Sequence, residues 1–250
     1  MRIPLWIDAG KLNVLVVGGG RVGSRRAKTF LKAGARVKVV SLEFSDELVS
    51  LSKESSRLEL IRLDVGKEDF NDLIEWADIV VIATSDPKAN ATAKALARKR
   101  GKLVNDATDA ADTDVVVPYF TWIDELGVSV AVTSEGRSGV VARKVLERVV
   151  NFLKAACDLK TLYEVMWRVK PVLKRLIPNA GNRIPIYYIL AEDEGFNECV
   201  SECDISCAFR RASFLISSKL SKLGVKMEAK DIERLLKSVK KPIIPYEEQG

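Results

Sequence analysis

The sequence predicts an α/β protein, a doubly wound parallel sheet followed by a helical C-terminal region. Between residues 12 and 134 short apolar runs alternate with helical patterns, as βαβ units require. Beyond Ser138 the apolar spacing is helical almost without interruption. A chain of 250 residues suits one large domain or two small ones, and buries enough surface to fold without a metal or disulfide staple.

The run LNVLVV at 12–17 is the first strand, and the helix after it places Ala27, Phe30, Leu31 and Ala35 on one face. RVKVV at 36–40, LELIRL at 58–63, ADIVVIAT at 77–84 and GKLVND at 101–106 follow as strands two to five. The fourth is continuously apolar, as a strand buried on both faces should be. Helices are expected at 45–54, 68–76 and 87–100, and VSVAVTS at 128–134 is expected to add one more strand. In the second half Pro178, Gly181 and Pro185 are expected to break the helix, with more helix at 198–222 and 228–239.

Composition excludes several classes. No apolar run approaches the ~20 residues that cross a bilayer. The apolar part of the N-terminal MRIPLWIDAGKLN is too short for a signal peptide, so a cytoplasmic protein is expected. The net charge of +6 comes from 40 basic and 34 acidic residues that are interspersed. A nucleic-acid binder would show a basic stripe; an anionic small molecule suits this charge equally well. There are no histidines, so proton transfer falls to Asp, Glu, Lys, Tyr, Cys or water, and a metal site would lack imidazole.

Gly18, Gly20 and Gly23 form Gly-x-Gly-x-x-Gly directly after a strand and at the start of a helix. In that context the first glycine allows the tight turn, the second lets the backbone approach a pyrophosphate, and the third lets helix and strand pack closely. The helix N-terminus offers N–H groups to the phosphates. This makes the sheet Rossmann-like and a dinucleotide the expected ligand. Glu43 lies 20 residues after Gly23 but past the end of the second strand, so it either meets a ribose or caps the helix before FSDEL. No Arg stands at 41–43 to meet a 2′-phosphate, which favours NAD over NADP, although Arg36 and Lys38 lie earlier in the strand.

Asp106 ends the fifth strand, where ligands of open α/β sheets sit; it is either a catalytic carboxylate or the cap of the turn-rich NDATDAADTD. VAVTSEGRSGVVARKVLERV runs through a Gly turn into a helix. Thr133, Ser134 and Ser138 could bind an anion there, with charge from Arg137, Arg143 and Lys144, while Ser138 is also a good N-cap.

Four separated segments resemble one family in order and spacing: IPLWIDAGKLNVLVVGGGRVGSRRAKTFLKAGARVKVVSLEF, ADIVVIATSDPKAN, LVNDATD and VAVTSEGRSGVVARKVLE. The family is that of the precorrin-2 dehydrogenases and sirohydrochlorin ferrochelatases, the N-terminal module of siroheme synthases. The resemblance covers about residues 1–150. It implies a NAD-binding Rossmann domain at 1–112, a dimerisation segment at 113–150 and a helical region at 151–250. It implies NAD-dependent oxidation of precorrin-2, an anionic tetrapyrrole, to sirohydrochlorin, with Fe²⁺ insertion as a further activity of some members. The family's catalytic Asp and Ser fall on Asp106 and Ser134. Its cofactor positions fall on Arg21, Val22, Leu42 and Glu43 around the glycines, with Thr84 at the end of the fourth strand. Arg137, Ser138 and Arg143 are the expected substrate contacts. Glu135 and Gly139 depart from the family's turn, in places that usually hold glycine and proline. VVIATSDPKANATAKALARKRG also resembles nucleotide-sensing domains that regulate potassium channels, which bind without catalysis.

Two features stand outside that resemblance. Cys199, Cys203 and Cys207 recur every four residues and Cys157 stands alone. They are expected as buried, free, apolar side chains, with soft-metal binding as the alternative. The helix after Ser138 carries Val140, Val141, Val145, Leu146, Val149, Val150 and Leu153, an apolar surface too broad for one stripe, so a homodimer is expected.

Overall fold

A computed structural model describes residues 2–241. The chain forms two compact units. One comprises the chain up to Pro118 with Thr133–Ala142; the other comprises Tyr119–Val132 with the chain from Arg143.

In the first unit β1 (Asn13–Val17), β2 (Arg36–Ser41), β3 (Leu58–Arg62), β4 (Ile79–Ile82) and β5 (Leu103–Asp106) make one parallel sheet in the order β3-β2-β1-β4-β5. The connections are α1 (Arg21–Lys32), α2 (Asp46–Glu54), α3 (Asn71–Trp76) and α4 (Pro87–Lys99). Alternate strand residues serve opposite faces. Val14 and Val16 pack with Ala27 and Leu48, whereas Leu15 and Val17 pack with Ile74, Ala93 and Ala97. Both faces of the central strands β1 and β4 are therefore buried, which is why these two are almost continuously apolar. Strand order reverses between β1 and β4, so a crevice opens beyond their carboxyl ends.

In the second unit β6 (Tyr119–Ile123) and β7 (Val128–Val132) form an antiparallel hairpin. The expected sixth strand thus exists but does not join the parallel sheet. No helical crossover separates it from β6, so the short connection can only fold back antiparallel. Among the described residues six helices follow: α5 (Gly139–Ala155, whose first residues lie in the first unit), α6 (Cys157–Leu176), α7 (Ala180–Glu192), α8 (Glu194–Ser201), α9 (Ile205–Lys222) and α10 (Ala229–Ser238). Val165, Val169, Leu173, Leu190, Phe196, Ala212 and Ile216 form their core.

Gly181 and Pro185 do not break the helix; both lie inside α7, where Ile186 and Leu190 are buried and hold it. The breaks fall where a side chain caps the next helix: Asn179, Asp193 and Asp204 accept backbone N–H groups of α7, α8 and α9. The helix expected at 198–222 is accordingly two helices. The cysteines are not free. Cys157 pairs with Cys203 and Cys199 with Cys207, because the turn between α8 and α9 gathers residues that one straight helix would spread along a drifting stripe.

Asp193 joins two of these helices: its Oδ1 accepts the Phe196 N–H at 2.8 Å, and its oxygens take Arg211 Nε and Nη2 at 2.7 and 2.8 Å. Asp193→Ala should lower stability by about 2 kcal/mol, the sum of a lost cap and a lost charged bond. Urea unfolding at neutral pH measures it; a change within a few tenths would show the junction to be marginal.

Candidate active site

The crevice is built around the glycine turn. β1 ends at Val17 and α1 starts at Arg21. Gly18 has φ 118°, and a Cβ there would press on the Ala83 carbonyl oxygen at 2.6 Å and the Thr84 nitrogen at 3.0 Å. A Cβ at Gly23 would overlap the Gly18 carbonyl. Gly20 differs: nothing of the protein lies within 4 Å of its ideal Cβ. That open space lies at the start of α1, which has no side-chain cap, so the first-turn N–H groups of Arg21, Val22 and Gly23 face outward for a phosphate. Space, close backbone and an uncapped helix are what a pyrophosphate needs, and these residues fit a dinucleotide.

Residues 42–45 lie beside this loop. The Ser45 N–H donates to the Gly19 carbonyl at 3.1 Å and Ser45 Oγ is 2.7 Å from Ser24 Oγ. Ser45, not Glu43, caps α2. Of the two roles open to Glu43 the cap is thus taken, and Glu43 and Leu42 are exposed next to the glycine loop. Thr84 follows β4; its hydroxyl donates to Asn90 Oδ1 at 2.6 Å and accepts the Asp86 N–H at 3.1 Å.

Asp106 ends β5 with its side chain 1% exposed. Oδ1 accepts the Thr108 N–H at 2.8 Å, the Thr108 hydroxyl at 2.7 Å and the Asp109 N–H at 3.0 Å. Oδ2 pairs with Lys94 Nζ at 2.5 Å, and Lys94 also meets Asp112 Oδ2 at 3.1 Å. Burial works against the charge on Asp106, but Lys94, Thr108 and Asp109 outweigh it and hold the carboxyl below its usual range. Burial likewise works against the Lys94 ammonium, and Asp106 and Asp112 outweigh it and raise its pKa. Both groups are charged at neutral pH. Asp109 is exposed, and its Oδ1 accepts the Ala111 and Asp112 N–H groups at 3.0 and 3.4 Å.

The 133–138 turn lies against this loop. A Cβ on Gly136 would overlap the Ala110 methyl group. Arg2 ties the two together, reaching Glu135 Oε2 at 3.4 Å and the Ala110 and Thr113 carbonyls at 3.2 and 3.0 Å. Glu135 holds a left-handed φ of 50°. Ser134 Oγ accepts the Ser138 N–H at 2.8 Å, and Ser138 Oγ caps α5 through the Val141 N–H at 3.3 Å. Arg137 is exposed beside them. Arg143 lies on the part of α5 in the second unit and pairs with Glu147 at 3.5 Å.

Arg2, Asn90, Lys94, Arg98 and Thr113 were not foreseen as parts of this arrangement. A signal existed for three of them: Asn90, Lys94 and Arg98 recur every four residues and so share one face of α4. That face meets the acidic loop, where Arg98 pairs with Asp112 and Asp114 at 2.8 and 3.1 Å.

A glycine turn on a parallel sheet, with its phosphate cradle at the switch point, defines a dinucleotide-binding protein of the Rossmann type. Residues 5–119 match a family model described as "Putative NAD(P)-binding". The chain is 30% identical over 199 residues to the "Putative precorrin-2 dehydrogenase" of Methanocaldococcus jannaschii, covering 78% of this chain and 93% of that protein. It belongs to the precorrin-2 dehydrogenase family. "Siroheme synthase 1" of Yersinia enterocolitica is 30% identical over 72% of this chain and 36% of its own length. The solved structure of "SirC, precorrin-2 dehydrogenase" shares the fold, with a TM-score of 0.57 and 21% identity over 82% of this chain and 97% of that one.

The two kinds of glycine separate by substitution. Gly20→Ala should leave stability nearly unchanged and weaken NAD binding at least tenfold by calorimetric titration, because its Cβ enters only the cradle. Gly23→Ala should instead destabilise the fold. Equal NAD affinity in Gly20→Ala and wild type would remove the cradle.

The buried ion pair sets a pH dependence. The folded pKa of Asp106 is depressed, so its contribution to stability is present above the unfolded value of ~3.9 and is lost as pH falls through the lower folded value. Lys94→Met should cost about 3 kcal/mol at neutral pH by leaving that carboxylate unpaired. The gap from wild type should close in acid as Asp106 protonates. A gap independent of pH would mean that lost packing, not charge, is responsible.

Proposed function

We propose that this chain oxidises precorrin-2 to sirohydrochlorin with NAD as the oxidant. One observation carries the reading: a dinucleotide cradle and a carboxylate-rich loop share one sheet edge, in a chain of the precorrin-2 dehydrogenase family. Bound NAD supplies the acceptor for the hydride. The chain supplies the rest. Gly20 and the start of α1 hold the pyrophosphate, with Arg21 and Val22 on the same turn. Glu43 and Leu42 flank the adenine ribose, and Thr84 lines the crevice. Ser41, Leu42 and Glu43 offer no cation to a 2′-phosphate, which supports NAD over NADP.

The substrate must also lose a proton, and with no histidine a carboxylate takes it. Asp106 is the carboxylate that the family resemblance designates. In the geometry described, four donors occupy its oxygens and its pKa is depressed, which makes it a weak acceptor. These facts favour a division of labour: Asp106 and Lys94 hold the turn, and exposed Asp109 takes the proton. Ser134 positions substrate from the adjoining turn, with Ser138 beside it, and Arg137 attracts its carboxylates. The exposed carboxylates of the same loop, Asp109 and Asp112, suit Fe²⁺ insertion into sirohydrochlorin, which requires acceptors for two pyrrole protons.

Mixing the protein with precorrin-2 and NAD and following NADH absorbance tests the reading. Turnover is expected, and Asp109→Asn should lower it by about 10²–10⁴ while leaving NAD affinity intact. Asp106→Asn should lose both stability and turnover. NAD binding with no NADH formed would favour a nucleotide sensor instead. Sirohydrochlorin with Fe²⁺ or Co²⁺, followed by tetrapyrrole absorbance, tests the chelation.

The reading includes a homodimer paired through α5, on which Val140, Val141 and Phe152 are exposed. Sedimentation at micromolar concentration should give twice the mass of the chain; a monomer would contradict it. No helix among the described residues is long and apolar enough to cross a membrane, and the use of NAD in the proposed reaction supports a cytoplasmic location.

A further inference from the structure

We propose that Cys157, Cys199, Cys203 and Cys207, when reduced, form a tetrathiolate site for a thiophilic divalent metal ion, Zn²⁺ in the first instance, where α6 meets the α8–α9 turn. The chain has four cysteines: Cys157 is joined to Cys203, more than forty residues on, and Cys199 and Cys207 stand four residues to either side of Cys203. In the oxidised form they pair as Cys157–Cys203 and Cys199–Cys207, with Cα atoms 5.6 and 5.5 Å apart. Cys203 links the pairs, being four residues from both Cys199 and Cys207. The Asp204 N–H donates to the Cys199 carbonyl and the Cys203 N–H to the Val200 carbonyl, each at 3.0 Å, which closes the turn around it.

Three features point to thiolate ligands rather than to packing alone. Cys203 holds φ 59°, the position at a helix end where glycine is usual. A side chain there is strained and persists where the group itself is needed. Cys157 is the first residue of α6 and Cys207 the third of α9, and the start of a helix favours thiolate over thiol. Cys199 and Cys207 also line an open depression of about 500 Å³ with Glu198, Glu202, Arg210 and Arg211, which gives a metal ion a way in.

While both disulfides are formed, no group of three or more His, Cys, Asp or Glu side chains among the described residues can hold a metal. The site exists only after reduction. Two equivalents of a dithiol reductant deliver four electrons and four protons, break both S–S bonds and leave four thiols. Binding a divalent ion then releases four protons and leaves four metal–sulfur bonds with a net charge of 2−. Metal–sulfur bonds of ~2.3 Å set sulfur–sulfur edges of about 3.8 Å in a tetrahedron. Each bonded pair must open by about 1.8 Å, within reach of side-chain rotation at these Cα separations. Four sulfur donors without imidazole or carboxylate select soft tetrahedral ions. Such an ion would tie the start of α6 to the α8–α9 turn as the disulfides do, and would do so under reducing conditions.

The test is Co²⁺ titration of the reduced full-length protein without oxygen. Expected are one Co²⁺ per chain, sulfur-to-cobalt charge-transfer absorption with tetrahedral d–d bands, and displacement by Zn²⁺. Cys157→Ser and Cys203→Ser should each abolish the four-sulfur spectrum while NAD affinity stays within twofold. Absence of the charge-transfer band in the wild type, or an unchanged band in Cys157→Ser, overturns the proposal. If the variants do not fold, protection decides: stoichiometric Zn²⁺ should shield four thiols of the wild type from alkylation, and four thiols left reactive overturn it.

Discussion

The buried Asp106–Lys94 pair is the constraint on which the rest of the candidate site depends. An ionised carboxylate at 1% exposure survives only when its oxygens are filled. Here they are filled from two directions. Thr108 and Asp109 fold back from the loop, and Lys94 reaches across from α4. The pair therefore fixes the path of the chain immediately after the sheet. Arg98, one turn beyond Lys94, holds the far side of the same loop through Asp112 and Asp114. Arg2 carries this order to the Ser134 turn.

The dinucleotide cradle rests on a different constraint, backbone packed on backbone. Gly18 touches the chain leaving β4, and Gly23 touches Gly18. Each close approach excludes a side chain, and together they leave the start of α1 bare at the point where strand order reverses. The two constraints meet through Asn90, which exchanges hydrogen bonds with Thr84 at 2.6 and 3.1 Å and reaches Thr108 at 3.5 Å. The cradle side of the crevice and the carboxylate side are thus one hydrogen-bonded assembly. The proposed split of roles, with a saturated carboxylate that organises and an exposed one that reacts, is set within this assembly.

Much of the fold was legible because its signals are local. Strands buried on both faces read as apolar runs, and the glycine spacing is dictated by a single turn. The Ser138 cap was also visible from residue type alone. What escaped depended on partners distant in sequence. Asp106 admitted two roles because nothing in its neighbourhood announces Lys94. The strand at 128–134 looked like a sheet member because alternation reports burial, not the partner strand. Pro185 looked like a helix breaker because proline propensity ignores the packing of Ile186 and Leu190. The cysteine spacing suggested one helix face until the Asp204 cap turned the chain and brought Cys157 within reach.

The proton acceptor is the point at which geometry and family resemblance pull apart, and the pH dependence of kcat/KM for precorrin-2 oxidation separates them. If exposed Asp109 takes the proton, the acid limb of that profile should vanish in Asp109→Asn and keep its position in Lys94→Met. An acid limb that survives Asp109→Asn and moves in Lys94→Met would return the chemistry to Asp106 and contradict the division of roles proposed for the two carboxylates.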